Sequence, residues 1–283
     1  MKFKKRKRLI KFTKKRKRDT KMLGENNYIE LNETSKIEDL PIEPYASKIL
    51  DIVVHRLKEA KLNLSSTRSN GDGRVDSSLL EDVVTNYIDN DENIINFLVE
   101  NGLEWKIPKR REWYDLCFTN KDRSIFIPVN IKISGMKGSD NVSSKKGLYY
   151  AITGDIPYDK EFEHDDENSL HSNKWDEFWG KLKLNVGKRK NKDYYFLILN
   201  KNDNDDIFYT SLKTLETVSF NGSNLPFQCC WFKNKNRVMR SYEEAKEFLL
   251  KSFVKSLELS NKSIQDGIKT IDYLLGNEND WSQ

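Results

Sequence analysis

Ile125-Phe-Ile-Pro-Val-Asn-Ile-Lys-Ile133 carries an isoleucine or valine at every second position. Successive side chains of a β-strand point to opposite faces. Ile125, Ile127, Val129, Ile131 and Ile133 therefore share one buried face, and Phe126, Asn130 and Lys132 point the other way. Trp113-Tyr-Asp-Leu-Cys-Phe118 precedes this run across the polar turn Thr119–Arg123, which predicts a β-hairpin. Folding about that turn sets Asp115 opposite Asn130. An aspartate, an amide and a lysine then gather on one side of a strand whose other side is core. This layout suits metal-dependent cleavage of a phosphodiester.

The segment before the hairpin is helical. Apolar residues at 75, 79, 80, 83, 84, 87 and 88 follow helical spacing, with Asp76 or Ser77 as N-cap. The stripe centres near Leu80 and Tyr87. Glu81 stands at its edge, facing the hairpin, while Asp82 falls on the solvated side. Helices are also expected at Pro44–Leu57, at Glu92–Val99 with Asn101-Gly102 as its stop, and between Ser143 or Ser144 and Gly154. A further helix is expected at Asn173–Leu182, with Trp175, Phe178, Trp179 and Leu182 inward. Asp193–Leu199 and Ile207–Thr210 read as neighbouring strands across an Asn/Asp turn, and Phe227–Phe232 as another. Ser241-Tyr-Glu-Glu244 is a capping box that opens a helix running to Leu275, with a break expected at Gly267.

Asp115, fourteen intervening residues and Asn130-Ile-Lys132 resemble the signature of the PD-(D/E)XK nuclease superfamily. In that signature an aspartate is followed, after a gap, by acid-any-Lys on the next strand. The chain departs from it twice: no proline precedes Asp115, and Asn130 stands where the second carboxylate belongs. The run from Asn130-Ile-Lys through Asp140-Asn, Lys145-Lys-Gly and Ala151-Ile-Thr-Gly154 is similar to type II restriction endonucleases, in the branch that cuts bluntly from the minor-groove side. The resemblance spans about residues 64 to 275. It implies an α/β domain with a central mixed β-sheet flanked by helices, acting as a homodimer on double-stranded DNA with Mg²⁺ as cofactor.

Under this reading Asp115 bridges the metal and Glu81, from the preceding helix, makes good the charge that Asn130 lacks. The Ile131 carbonyl adds a neutral oxygen, and Lys132 positions water and stabilises charge on the scissile phosphate. Mg²⁺ needs only one or two carboxylates beside water and phosphate. Lys137, Asn141 and Lys145 are the DNA-contacting positions after the hairpin. Leu64–Arg74 breaks every periodicity, and its Arg68, Ser69, Asn70 and Arg74 suit phosphates and groove edges. Asn221, Ser223, Asn224 and Gln228, around the strand at 227, are residue types that read adenine and groove acceptors. The same fold also admits a catalytically inactive DNA-binding protein, or a repair or RNA nuclease.

Charge distribution supports a nucleic-acid partner. Residues 1–22 hold thirteen Lys or Arg against one acid, leaving 36 basic and 43 acidic residues for the rest. The net +5 thus conceals a +12 arm on a −7 remainder. Such a block repels itself, is disordered alone, and serves phosphates or nuclear import. Residues 23–43 read as a linker, 44–275 as the nuclease domain and 276–283 as a polar tail. The acidic segment 155–173, with His164 and His171, reads as a surface loop. His55 reads as an ordinary helix residue. No apolar run is long enough to span a membrane, and residues 1–20 lack a secretory signal. Cys117, Cys229 and Cys230 make neither a disulfide framework nor a zinc site, so a reducing interior is expected. That places the chain in the cytoplasm with the nucleoid, or in the nucleus of a nucleated cell.

Overall fold

The computed structural model describes residues 43–64, 73–108, 112–142, 144–157, 170 and 174–274, with the backbone alone at 73–78 and 272–274. The basic arm, residues 23–42 of the linker, Arg68, Ser69, Asn70, His164, His171 and the tail lie outside the described residues, as does the side chain of Arg74. Three helices come first: α1 (Pro44–Ala60), α2 (Gly73–Asn90) and α3 (Glu92–Glu100). Strands β1 (Glu104–Lys106), β2 (Leu116–Thr119), β3 (Phe126–Ser134) and β4 (Ser139–Asn141) follow. Next come α4 (Lys145–Thr153), α5 (Trp175–Asn185), β5 (Tyr195–Asn200), β6 (Asp203–Ser211), β7 (Gln228–Cys230) and α6 (Tyr242–Leu274).

The main sheet has the order β1-β2-β3-β5-β6 and is antiparallel except for the parallel pair β3–β5. The chain is therefore α/β, with a mixed sheet covered by helices on both faces. One face of β3 and β5, including Ile127, Val129, Ile131, Tyr195, Leu197 and Leu199, packs on Ile49, Val53, Val84, Ile88 and Ile94 of the first three helices. The opposite face, including Phe126, Phe196 and Ile198, packs on Leu148, Ile152, Phe178, Leu249 and Phe253 of the last three. Both sides of the hairpin are thus core for most of its length. Only toward Asn130 and Lys132 does the second face open.

The second core is rich in tyrosine, and each hydroxyl needs a partner once buried. Tyr150 donates to the carbonyl of Phe126 at 2.6 Å, Tyr242 to that of Ile152 at 2.5 Å, and Tyr194 to that of Trp113. On the other side, Asp91 locks the three helices together. Its carboxylate caps α3 through Asn93 N and Ile94 N, and accepts from Arg56 of α1 at 2.9 Å and Tyr87 of α2 at 2.8 Å. This network ties α1, α2 and the start of α3 to one another.

Local signals fare well where a cap or a repeat carried them. Ser144 caps α4, and Gly154 ends it with φ +73°. A Cβ at Gly154 would lie 2.3 Å from Arg189 Cβ, so only glycine fits. The Ser241 box closes in both directions: Glu244 Oε2 accepts from Ser241 N at 2.8 Å, and Ser241 Oγ from Glu244 N at 3.3 Å. His55 is an exposed helix residue, 3.4 Å from Glu59. No helix among the described residues is long and apolar enough to cross a membrane.

Several expectations fail. α2 starts at Gly73, ahead of the expected cap at Asp76 or Ser77, and its Leu79 and Val83 are exposed. α6 continues through Gly267 without a break. One glycine costs about 1 kcal/mol of propensity, too little to end a helix of nine turns. Trp175 and Trp179 do not pack fully inward. They are 37% and 39% exposed and stack on each other at 5.4 Å. The run from Phe227 ends as a strand at Cys230 and tightens into a 3₁₀ turn over Trp231–Asn234. The segment 155–173 is not only surface, because Asp155, Ile156 and Leu170 are buried.

Candidate active site

β2 and β3 pair from Thr119↔Phe126 to Leu116↔Val129, one residue short of the expected Asp115–Asn130 pair. The ladder ends there. Asp115 N donates to Val129 O at 2.9 Å, and Ile131 N then donates to the Asp115 carboxylate at 2.7 Å. Trp113 has turned away, its carbonyl taken by Tyr194. The sheet therefore splits between β2 and β3, and the Asp115 side chain holds the split open. N–H and C=O of one strand residue point to the same side. The Ile131 carbonyl therefore faces this opening as well.

Glu81 of α2 borders the same opening. Its carboxyl is pushed up to about 7, first by burial, then by the Asp115 charge, against a lowering by Lys132. Asp115 is also raised, by burial, with the Ile131 N–H and the Lys132 charge working against it. Two carboxyls and an ammonium thus act on one another across the end of β2. Asn130 completes the group. Its Oδ1 is buried and accepts no hydrogen bond. An oxygen left so costs about 1–3 kcal/mol unless a ligand uses it. The structure brings together Asp115, Glu81, Asn130, Ile131 and Lys132.

A hard divalent cation fits this donor set. Among the described residues, no three His, Cys, Asp or Glu side chains converge as a metal cage. Two acids, an orphaned amide oxygen and a carbonyl are nevertheless what Mg²⁺ accepts when water and phosphate fill its shell. Glu81, raised by burial and then by the Asp115 charge, and Asp115, raised by burial, are both relieved when a cation arrives.

A second polar group lies on the two-stranded ribbon β4–β7, where Asn141 pairs with Gln228. Gln228 Nε2 donates to Asn141 Oδ1 at 2.8 Å, Asn221 Nδ2 to Gln228 Oε1 at 2.8 Å, and Asn141 Nδ2 to Asn224 Oδ1 at 3.4 Å. Asn221 Oδ1 in turn accepts from the backbone N–H of Ser223 at 2.8 Å and of Asn224 at 3.1 Å. Asn141, Asn221, Asn224 and Gln228, scattered in sequence, form one hydrogen-bonded row with Ser223 beside it. The inner face of the ribbon is core. Cys229 is buried and its thiol is pushed up by burial first, then by Asp140, while the Lys132 charge lowers it. Asp140 is tied down by the Trp231 indole N–H at 2.5 Å.

Other residues singled out from sequence fall elsewhere. Lys145 places its ammonium 3.9 Å from the centre of the Trp175 ring, a cation–π contact at the start of α4. Lys137 is exposed in the turn between β3 and β4. Sequence reasoning missed the Asp91 network, Tyr194 and the Asp140–Trp231 bond. An aspartate directly before Glu92 and an apolar run was a readable N-cap signal for the first of these. The other two carried none.

The raised Glu81 carboxyl has a thermodynamic signature in metal-free protein. Below pH 4.5 the group is protonated whether folded or unfolded and costs nothing. From pH 4.5 to about 7 the unfolded chain ionises first, so folding stability falls, and above 7 the full cost remains. Discounting for partial solvent screening, the cost is about 1–2 kcal/mol. Glu81→Gln is therefore expected to unfold at higher temperature than the parent at pH 8 and at the same temperature at pH 4.5. Equal curves at both pH values contradict the electrostatic account. No protein-family model matches the chain, and no curated protein matches it.

Proposed function

We propose that this chain is a Mg²⁺-dependent endonuclease that hydrolyses phosphodiester bonds of double-stranded DNA, of the type II restriction kind within the PD-(D/E)XK superfamily. The observation that carries the reading is the opening between β2 and β3. There the Asp115 carboxylate is held by the Ile131 N–H at 2.7 Å, the neighbouring Asn130 has a buried oxygen that accepts no hydrogen bond, and the charges of Glu81, Asp115 and Lys132 influence one another. Asp115 and Glu81 hold the metal, with the Asn130 and Ile131 oxygens as neutral ligands. Mg²⁺ supplies charge neutralisation at the phosphate oxygens and a more acidic water. Lys132 stabilises negative charge on the scissile phosphate and orients water. The +12 arm adds sequence-independent phosphate attraction. A DNA substrate places the protein with the nucleoid in the cytoplasm, or in the nucleus of a nucleated cell.

A duplex has two strands to cut and two-fold symmetry at a palindrome, so one site on each of two copies is the economical arrangement. We assign the exposed isoleucine face toward the end of α6 to the second copy. Ile264, Ile268 and Ile271 are exposed at a spacing of four and three, one face of a helix, with Asn261 one step before them. This is a coiled-coil seam with a polar position, a device that sets register in paired helices. Incubation of the full chain with supercoiled plasmid and Mg²⁺ tests the reading, and discrete fragments with a solution mass of two chains are expected. A smear rejects sequence specificity. Tight binding with no cutting at any Mg²⁺ concentration favours the inactive DNA-binding reading, for which Asn130 at the second-carboxylate position is the specific support.

A further inference from the structure

We infer that the amide row on the β4–β7 ribbon selects A·T base pairs by donating hydrogen bonds into the minor groove, with Gln228 at its centre. The inference rests on the duplex-DNA reading above and deepens it by naming what is read.

The argument is one of hydrogen-bond polarity. An amide offers two N–H donors and one oxygen. Each oxygen has two lone pairs; every oxygen in the row accepts at least once, and only that of Asn221 is filled. Asn141 Oδ1 accepts from Gln228, Gln228 Oε1 from Asn221, Asn224 Oδ1 from Asn141, and Asn221 Oδ1 from two backbone N–H groups. Each amide nitrogen that donates within the row spends one hydrogen and keeps one. One hydrogen each on Asn141, Gln228 and Asn221 and two on Asn224 are left against one lone pair each on Asn141, Gln228 and Asn224, a surplus of donors that comes from the two backbone N–H groups on Asn221 Oδ1. The polarity cannot be reversed one residue at a time, because turning any amide sets nitrogen against nitrogen or oxygen against oxygen.

The row is also held rigid. Ser219 and Gln228 exchange both backbone bonds, at 2.6 and 2.9 Å, so Gln228 is pinned between two extended segments. Asn221 N donates to Ser256 Oγ of α6 at 3.2 Å. A Cβ at Gly222 would lie 2.6 Å from Ser260 N and 2.8 Å from the Leu259 carbonyl carbon, so the loop lies directly on the α6 backbone. A donor row fixed in this way is matched by an edge that offers acceptors alone. In the minor groove A·T and T·A both present only adenine N3 and thymine O2, whereas G·C adds a donor, the guanine 2-amino group. Donor against donor rejects G·C and leaves A·T and T·A indistinguishable.

The test uses the full chain, Mg²⁺ and a library of random duplexes, reading cut ends if it cuts and bound duplexes if it only binds. Expected are positions where A·T and T·A interchange and G·C lowers cutting or binding by about ten-fold or more. Inosine·C, which shows G·C's major groove but lacks the 2-amino group, should be accepted there. Gln228→Ala and Asn141→Ala should erase most of that discrimination. Gln228→Glu, which keeps size but exchanges donor for acceptor, should disfavour A·T at those positions. Thermal unfolding of each variant beside the parent guards against misfolding of the ribbon variants. Cutting with no interchangeable A·T position, inosine·C treated as G·C, or an unchanged pattern in the Gln228 and Asn141 variants overturns the inference alone. Selective A·T binding without cutting overturns only the nuclease reading. A chain that neither binds nor cuts duplex overturns both.

Discussion

Replacing Asp115 by asparagine or Lys132 by alanine is expected to lower Mg²⁺-dependent cleavage of duplex DNA by about a thousand-fold, the several kcal/mol that a positioned metal and its charge partners supply. The choice of asparagine matters. Asp115 accepts the Ile131 N–H at 2.7 Å, and an amide oxygen keeps that bond while removing the charge. Asp115→Asn should therefore fold as the parent does, whereas Asp115→Ala strands a donor and costs about 1–3 kcal/mol of stability. Lys132 acts through its charge, which lowers both Asp115 and Glu81. Without it both carboxyls retain protons at higher pH. The residual activity of Lys132→Ala should accordingly appear only on the alkaline side of the parent's profile. Single-turnover cleavage from pH 6 to 9, beside thermal unfolding, reads all of this. Parental rates in both variants would remove the opening between β2 and β3 from the chemistry.

The second large effect is expected at Asn130, where the chain departs most from the signature it resembles. Asn130→Asp places a third carboxylate beside Asp115 and Glu81. In metal-free protein this is unfavourable. Like charges repel, and the Tyr194 hydroxyl, whose oxygen now receives the Asn130 amide N–H, loses that donor. A fall of about 1–3 kcal/mol in stability is expected without metal. With Mg²⁺ the sign reverses, because the same carboxylate becomes a ligand. Affinity for the ion should rise about ten-fold or more, and the gain should shrink at low pH as protons compete. Glu81→Ala should lose cleavage, and the double variant with Asn130→Asp should recover part of it, since one acid replaces the other. Thermal unfolding and cleavage across a Mg²⁺ titration make the comparison. An Asn130→Asp protein indifferent to Mg²⁺ would sink the metal assignment, and full activity in Glu81→Ala would remove the helix glutamate from it.

Sequence by itself determined the elements whose signal is local. The alternation from Ile125 to Ile133 set which residues of β3 share the face packed on the first three helices, and the turn brought Asp115 to the end of the β2–β3 ladder. Period 3.6 in α2 put Glu81 at the border of the packed stripe and Asp82 in solvent. Ser144, Gly154 and the Ser241 box marked helix ends through backbone groups within four residues of themselves. These are short-range effects, decided before the chain closes on itself.

Tertiary structure alone decided the rest. β1 and β4 are three residues each, too short and polar to announce themselves, and exist because β2 and β7 offer them a ladder. Phe126 shares its face with Asn130 and Lys132, yet it is core because α4 through α6 cover that end of the sheet. The Glu81 carboxyl is raised because tertiary packing buries it and brings the Asp115 charge within its reach. Asn141 and Asn224 stand 83 positions apart and meet because β4 and β7 pair. A contact across that many residues depends on loop closure and packing, which no window of sequence contains.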